Sequence, residues 1–159
     1  MIVTIVIIGI LAAVAFPSYD SLVQNYRART LSTELTTTLS YARSEAVKRA
    51  VTVSVCSTGN ASFTACGSAD DWQNGWIVFI DPNNDGVIDS TNDRLKIKGA
   101  LETGSNLTST RSKISFDSRG FSEIGNTTFN VSAPNCTGNH GRNINISATG
   151  RVAVTEISC

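Results

Sequence analysis

Residues 2–16 carry a single polar side chain, Thr4, and no charge precedes Asp20. As a helix this stretch would be about 24 Å long, short of the ~30 Å hydrocarbon core of a bilayer. The pattern runs on past Pro17. Tyr19, Val23 and Tyr26, then Leu31, Leu35, Leu39, Ala42, Ala46 and Ala50 recur at the three- and four-residue spacings of a helix. The spacing predicts one long helix from Met1 to about Arg49, apolar all round at first and amphipathic afterwards. Pro17 lacks a backbone donor and should bend or loosen it. A helix apolar on every face needs lipid or protein on every face, and a domain of this size surrounds one poorly. Residues 1–26 are therefore expected to be a membrane anchor rather than a buried core helix. Residues 27–159 are expected to form a globular domain outside the membrane.

From Val51 the period changes to two. Residues 51–56, 94–98, 113–117, 128–132, 143–147 and 151–157 alternate, while Trp76-Ile-Val-Phe-Ile80 is a continuous apolar run that suits a central strand covered on both faces. Gly, Asn, Asp and Ser fill the intervals, and Thr149-Gly150 predicts a tight hairpin between the last two strands. The class expected is α+β: a long N-terminal helix, its first half membrane-embedded, packed through Leu31, Leu35 and Leu39 on an antiparallel β-sheet.

The composition adds a location. Thirteen basic and thirteen acidic side chains cancel, charged residues are only 16% of the 159, and Ser, Thr and Asn take their place. This excludes a chain that is strongly basic throughout and built for nucleic acid, although not a local basic patch. A polar, uncharged surface leans towards a site outside the cytoplasm.

Four cysteines, at 56, 66, 136 and 159, form no C-x-x-C pair, and the single histidine, His140, stands alone, so a structural zinc site is a poor fit. An even count suits disulfides in an oxidising compartment. Of the three connectivities, the favoured one is Cys56–Cys66, closing a short polar loop, with Cys136–Cys159 tying down the last residue.

Several strings together resemble a known family. Ile7-Ile-Gly-Ile-Leu-Ala-Ala-Val-Ala-Phe-Pro-Ser-Tyr19 is similar to the N-terminal helix of type IV pilins and type II secretion pseudopilins. Leu39-Ser-Tyr-Ala-Arg-Ser-Glu-Ala-Val-Lys-Arg49, Asp71-Trp-Gln-Asn-Gly-Trp-Ile-Val-Phe-Ile-Asp81 and Ile146-Ser-Ala-Thr-Gly-Arg-Val152 resemble the subgroup of the H-type pseudopilin and the FimU and FimT minor pilins. The resemblance implies a minor type IV pilin: a structural subunit that initiates or caps pilus assembly by packing its helix on other major and minor pilins. It implies a single-pass protein of the bacterial inner membrane with its globular domain in the periplasm, later incorporated in the pilus. Helix packing would use close approach at Gly9, Ala12 and Ala13, next to Pro17. In the family a basic leader, a few apolar residues and a glutamate come first. Met1 falls just after that glutamate, so the cleavage site and the assembly glutamate are expected to lie outside this chain. The alternatives are a DNA-binding minor pilin for natural transformation and an H-type pseudopilin of a type II secretion system. The C-terminal disulfide resembles minor pilins more.

Candidate chemistry is sparse. Asp81-Pro-Asn-Asn-Asp-Gly-Val-Ile-Asp89 places Asp81, Asn83, Asp85 and Asp89 at calcium-loop spacing around Gly86. Asn92 stands where the bidentate glutamate belongs, and a hairpin turn with side chains bound to their own backbone competes. No cofactor is expected, with calcium a weak candidate. His140 lies in a polar loop without a nucleophile motif, so no enzyme is expected. Arg142 and Arg151, at the starts of the last two strands, could approach each other and contact DNA phosphates. FimT-like proteins carry Gly-Arg-x-Arg at this hairpin, where Gly150-Arg-Val-Ala153 stands here. Two arginines on a solvated sheet edge would look the same.

Overall fold

The computed structural model describes the backbone of residues 2–59 and 62–159 and the side chains of residues 3–4, 19–59 and 62–159. Helix α1 spans Ile2–Arg49, ending where its periodicity does. It closes in a Schellman turn: the Val51 N–H reaches the Ala46 carbonyl at 3.2 Å and the Ala50 N–H the Val47 carbonyl at 3.4 Å. Ala50 takes the left-handed position at φ 52°, where glycine is the usual residue. Lys48 and Arg49 face the negative end of the helix dipole, and Glu45 holds both.

Eight strands follow: β1 Val53–Ser57, β2 Trp76–Ile80, β3 Arg94–Lys98, β4 Asn106–Ser109, β5 Lys113–Phe116, β6 Thr127–Ser132, β7 Gly141–Ile146 and β8 Val152–Ile157. They form two antiparallel four-stranded sheets, ordered β3-β2-β1-β5 and β4-β6-β7-β8, where one sheet was expected. Alternation tells which face a side chain takes and nothing about which sheet its strand joins. Strand β4 went unforeseen because Leu107 is its one apolar residue.

The buried stripe of α1, Leu31, Leu35, Leu39, Ala42 and Ala46, meets the inner faces of both sheets: Val53, Val55 and Val78 of one, Leu107, Phe129, Val131, Ile144 and Ile146 of the other. Burying each Leu stabilises the fold by roughly 1.5–3 kcal/mol. Trp72, in a 3-10 turn at Asp71–Asn74, sits edge-on to Phe129 at 4.7 Å and donates its indole N–H to the Arg111 carbonyl at 2.7 Å. Strand β2 is covered on both faces, as its apolar run requires. Trp76 and Val78 join the main core, while Ile77 and Phe79 pack with Cys56 under Phe63, Cys66 and Ile88.

The loop between β7 and β8 is a turn followed by a left-handed glycine. The Gly150 N–H bonds the Ser147 carbonyl at 2.8 Å, Gly150 has φ 74°, and a Cβ there would lie 2.0 Å from the Gly120 carbonyl. Glycine is required twice over. Arg43 of α1 donates to the Gly120 carbonyl at 2.9 Å and the Thr149 carbonyl at 3.2 Å, clasping one turn from each sheet.

Candidate functional site

Helix α1 offers a surface that its own domain does not use. Tyr19, Leu22 and Tyr26 are 66%, 67% and 70% exposed. At 100° per residue they fall within about 60° of one another and roughly opposite the Leu31–Ala46 stripe. Tyr19 and Leu22 are thus turned away from the sheets, and the largely exposed Tyr26 borders a groove between the helix and the 98–105 segment. The domain's grip on the helix begins on the other face, where Gln24 donates to the Asn135 carbonyl at 3.2 Å and accepts from the Thr137 N–H at 3.3 Å. The side chains of Gly9, Ala12, Ala13 and Pro17, the positions expected to pack on other helices, lie outside the described residues. Among the described residues no helix is long and apolar enough to cross a membrane.

Both expected disulfides are present, Cys56–Cys66 with Cα atoms 5.5 Å apart and Cys136–Cys159 at 5.6 Å. The first ties Cys66 to β1 beside the minor cluster of Cys56, Ile77 and Phe79. The second holds the C-terminus against the loop that receives Gln24, where the Cys159 N–H also bonds the Gly138 carbonyl at 2.8 Å. His140 is half-buried at the end of that loop, one residue before β7.

The calcium-like loop is built around a lysine. Asp81 is fully buried, and its carboxylate accepts from Ser54 Oγ at 2.7 Å, Lys113 Nζ at 3.1 Å and the Gly86 N–H at 3.2 Å. Lys113 also donates to the Asn84 carbonyl at 2.7 Å and to Asn84 Oδ1 at 2.9 Å. Ser54 shares a further bond of 2.8 Å with Ser115, so the group pins the loop after β2 to β1 and β5. Asp85 turns outward to the Val87 N–H at 2.8 Å and to the Asn83 amide at 2.8 Å, and Asp89 is exposed. The four positions do not converge, and the ammonium of Lys113 neutralises the innermost carboxylate. Among the described residues there is no group of three or more His, Cys, Asp or Glu that could hold a metal ion. Sequence spacing could not reveal Lys113, which reaches Asp81 from another strand.

The two arginines do not meet. Register pairs Arg142 with Glu156, and the Ser147 N–H bonds the Arg151 carbonyl, so they stand at opposite ends of the hairpin, roughly 17 Å apart at ~3.4 Å per residue. In an antiparallel pair the starts of successive strands are necessarily far apart. Arg142 is buried, donating to Asn25 Oδ1 and to the Gly141 carbonyl and pairing with Glu156 at 3.1 Å. Arg151 is exposed, in a shallow groove with Ser40, Arg43, Ser44, Val47 and Lys48.

Among curated proteins none matches this chain. Solved structures do. The type IV minor pilin FimU of Pseudomonas aeruginosa strain PAO1 is similar over 83% of this chain and 94% of its own, with a TM-score of 0.62 and 23% identity. A second crystal form of FimU gives 0.59 at 23% identity, over 82% of this chain and 98% of that one. The minor pseudopilin EpsH from the type 2 secretion system of Vibrio cholerae gives 0.56 at 12% identity, over 82% and 97%. The likeness is one of fold. Residues 31–150, from the first leucine of the buried stripe to the glycine of the last turn, match the family described as type II transport protein GspH, and the chain belongs to that family.

Proposed function

We propose that this protein is a minor type IV pilin that initiates or caps a pilus by packing its helix on other pilins. The observation that carries this reading is the exposed face of Tyr19, Leu22 and Tyr26, whose first two residues turn away from the sheets. An apolar run turned away from its own domain gains free energy only against lipid or a neighbouring subunit. In the same reading the apolar sequence before it packs on neighbouring helices, with small residues at Gly9, Ala12 and Ala13 for close approach. In this reading residues 1–26 hold the subunit in the inner membrane until assembly and then lie in the filament core. Residues 27–159 form the periplasmic domain, and neither a cofactor nor a catalytic group takes part.

The test replaces Tyr19, Leu22 and Tyr26 together by Ser, and separately Gly9 by Leu, in cells lacking the native gene. Both variants should fold, by circular dichroism of the purified protein, and be absent from sheared pili, with piliation reduced. Normal piliation with a loss of type II secretion would identify an H-type pseudopilin instead. Normal piliation with a loss of transformation in Arg151→Glu would identify a DNA-binding pilin. With Arg142 buried against Asn25 and Glu156, that last reading has Arg151 to rest on, beside Arg43 and Lys48.

A further inference from the structure

Two four-stranded sheets have four edges, and three of them are protected. Strand β3 carries Arg94, Lys96 and Lys98, a charged edge that discourages pairing. Strand β5 is covered by its own chain: the Glu123 N–H bonds the Ser115 carbonyl at 3.0 Å and Phe116 bridges Ser122. Strand β4 is only four residues long, and Gln73 of the neighbouring turn donates to Asn106 at 3.1 Å. Strand β8 is less guarded: its one charge, Glu156, is near its end, and helix α1 borders it across two shallow grooves without bonding its backbone among the described residues. The strand is six residues long and carries no charge, proline or glycine from Val152 to Thr155.

The hydrogen-bond phase of β8 is fixed by its turn. Ser147 and Arg151 form a bonded pair, and bonded pairs alternate along an antiparallel ladder. Asn145 with Ala153, Asn143 with Thr155 and Gly141 with Ile157 are therefore the bonded pairs. The backbone groups of Val152, Val154 and Glu156 point away from β7, and among the described residues nothing bonds them. Val154 is 43% exposed. The edge is also polar end to end. Arg151 is exposed at its start and in no ion pair among the described residues; at its end the Glu156 side chain is 72% exposed, one carboxylate oxygen on Arg142 and the other open.

We propose that β8 is a strand-addition site for an extended segment of another protein. That segment is uncharged through its middle, with a carboxylate where it meets Arg151 and a cation where it meets Glu156. Added strands gain affinity from main-chain bonds and register from side chains, and β8 supplies both: three outward backbone positions and opposite charges at the ends. The site is on the sheet edge and separate from the helix face proposed above to pack on other pilins, so either reading can fail alone.

The experiment uses the full chain and two short capped peptides with a centre of alternating Val and Thr. One ends in Lys and Glu, the other in Lys at both ends. The first peptide should slow amide exchange at Val152, Val154 and Glu156 about tenfold or more, leaving Ala153 and Thr155, already bonded to β7, unchanged. The all-lysine peptide should bind a few-fold more weakly, the size expected of one unfavourable cross-strand charge. Val154→Pro removes a donor that β7 does not use, as edge strands tolerate, and should abolish binding with the melting temperature kept within a few degrees. Should that variant not fold, Val154→Lys keeps every backbone bond and should weaken binding at least tenfold. Protection at any other strand, or unchanged affinity in both variants, overturns the proposal. Concentration-dependent self-association that protects the same three amides without peptide also overturns it, in favour of a second copy of this chain.

Discussion

Arg142 on β7 donates a hydrogen bond to Asn25 on the helix, 117 residues earlier in the chain. With Gln24 on Asn135 and Thr137, it fixes the helix to the loop that carries the C-terminal disulfide. The Arg142 side chain is 6% exposed, and it also donates to the Gly141 carbonyl and pairs with Glu156. Arg142→Ala would leave Asn25 Oδ1 and the Gly141 carbonyl without this donor, a cost of about 1–3 kcal/mol. Arg151→Ala, at an exposed site, should stay within about 0.5 kcal/mol. Urea unfolding of both variants separates the structural arginine from the surface one.

Ala50 carries the left-handed position of the Schellman turn, which costs an L-residue roughly 1–2 kcal/mol and glycine little. The looser unfolded chain of the glycine variant offsets part of that gain. Ala50→Gly should therefore stabilise the protein by about 0.5–1 kcal/mol, read as a higher urea midpoint with an unchanged slope.

With Glu45, whose carboxyl the Arg49 guanidinium holds below its ordinary range, two further carboxylates contribute to the acid limit of the fold. Bonds from the Ser68 N–H at 2.6 Å, the Ser68 hydroxyl at 2.8 Å and the Asn74 amide at 3.2 Å hold the Asp71 carboxyl below its ordinary range. Partial burial pushes Asp117 up, but the N–H groups of Phe121 and Arg119 and the Arg119 guanidinium outweigh it, and the net displacement is downward. As pH falls the unfolded chain binds protons first, so stability is full above the ordinary carboxylate range and is lost towards the lower native values. The thermal midpoint should be level from neutral pH to about pH 5 and fall below it. Asp71→Asn should melt lower at neutral pH and lose less on acidification.

Local chemistry was legible in the sequence and long-range pairing was not. The leucine stripe, the end of the helix at Arg49 and the doubly covered β2 follow from period and composition. The even cysteine count points to disulfides, whose pairing is favoured by the short polar loop and the terminal cysteine. Strand β4 exists because β6 offers its edge to a stretch whose own pattern is nearly all polar. Asp81 looked like a calcium ligand because its cation, Lys113, comes from 32 residues away. The separation of Arg142 from Arg151 was within reach, since strands joined by a hairpin begin at opposite ends.

The route of the chain through the two sheets has a consequence for how the protein can come apart. Strands β1, β2 and β3 lie in one sheet, β4 crosses to the other, β5 returns, and β6, β7 and β8 cross again. Each sheet is thus completed by a strand lying in sequence beyond the start of the other. A cut anywhere between β3 and β6 leaves a fragment in which at least one sheet lacks an edge strand and the helix lacks part of its cover. Neither half is an autonomous module, so proteolytic nicking in that interval should yield no stable piece, and the domain should be lost or kept as a whole.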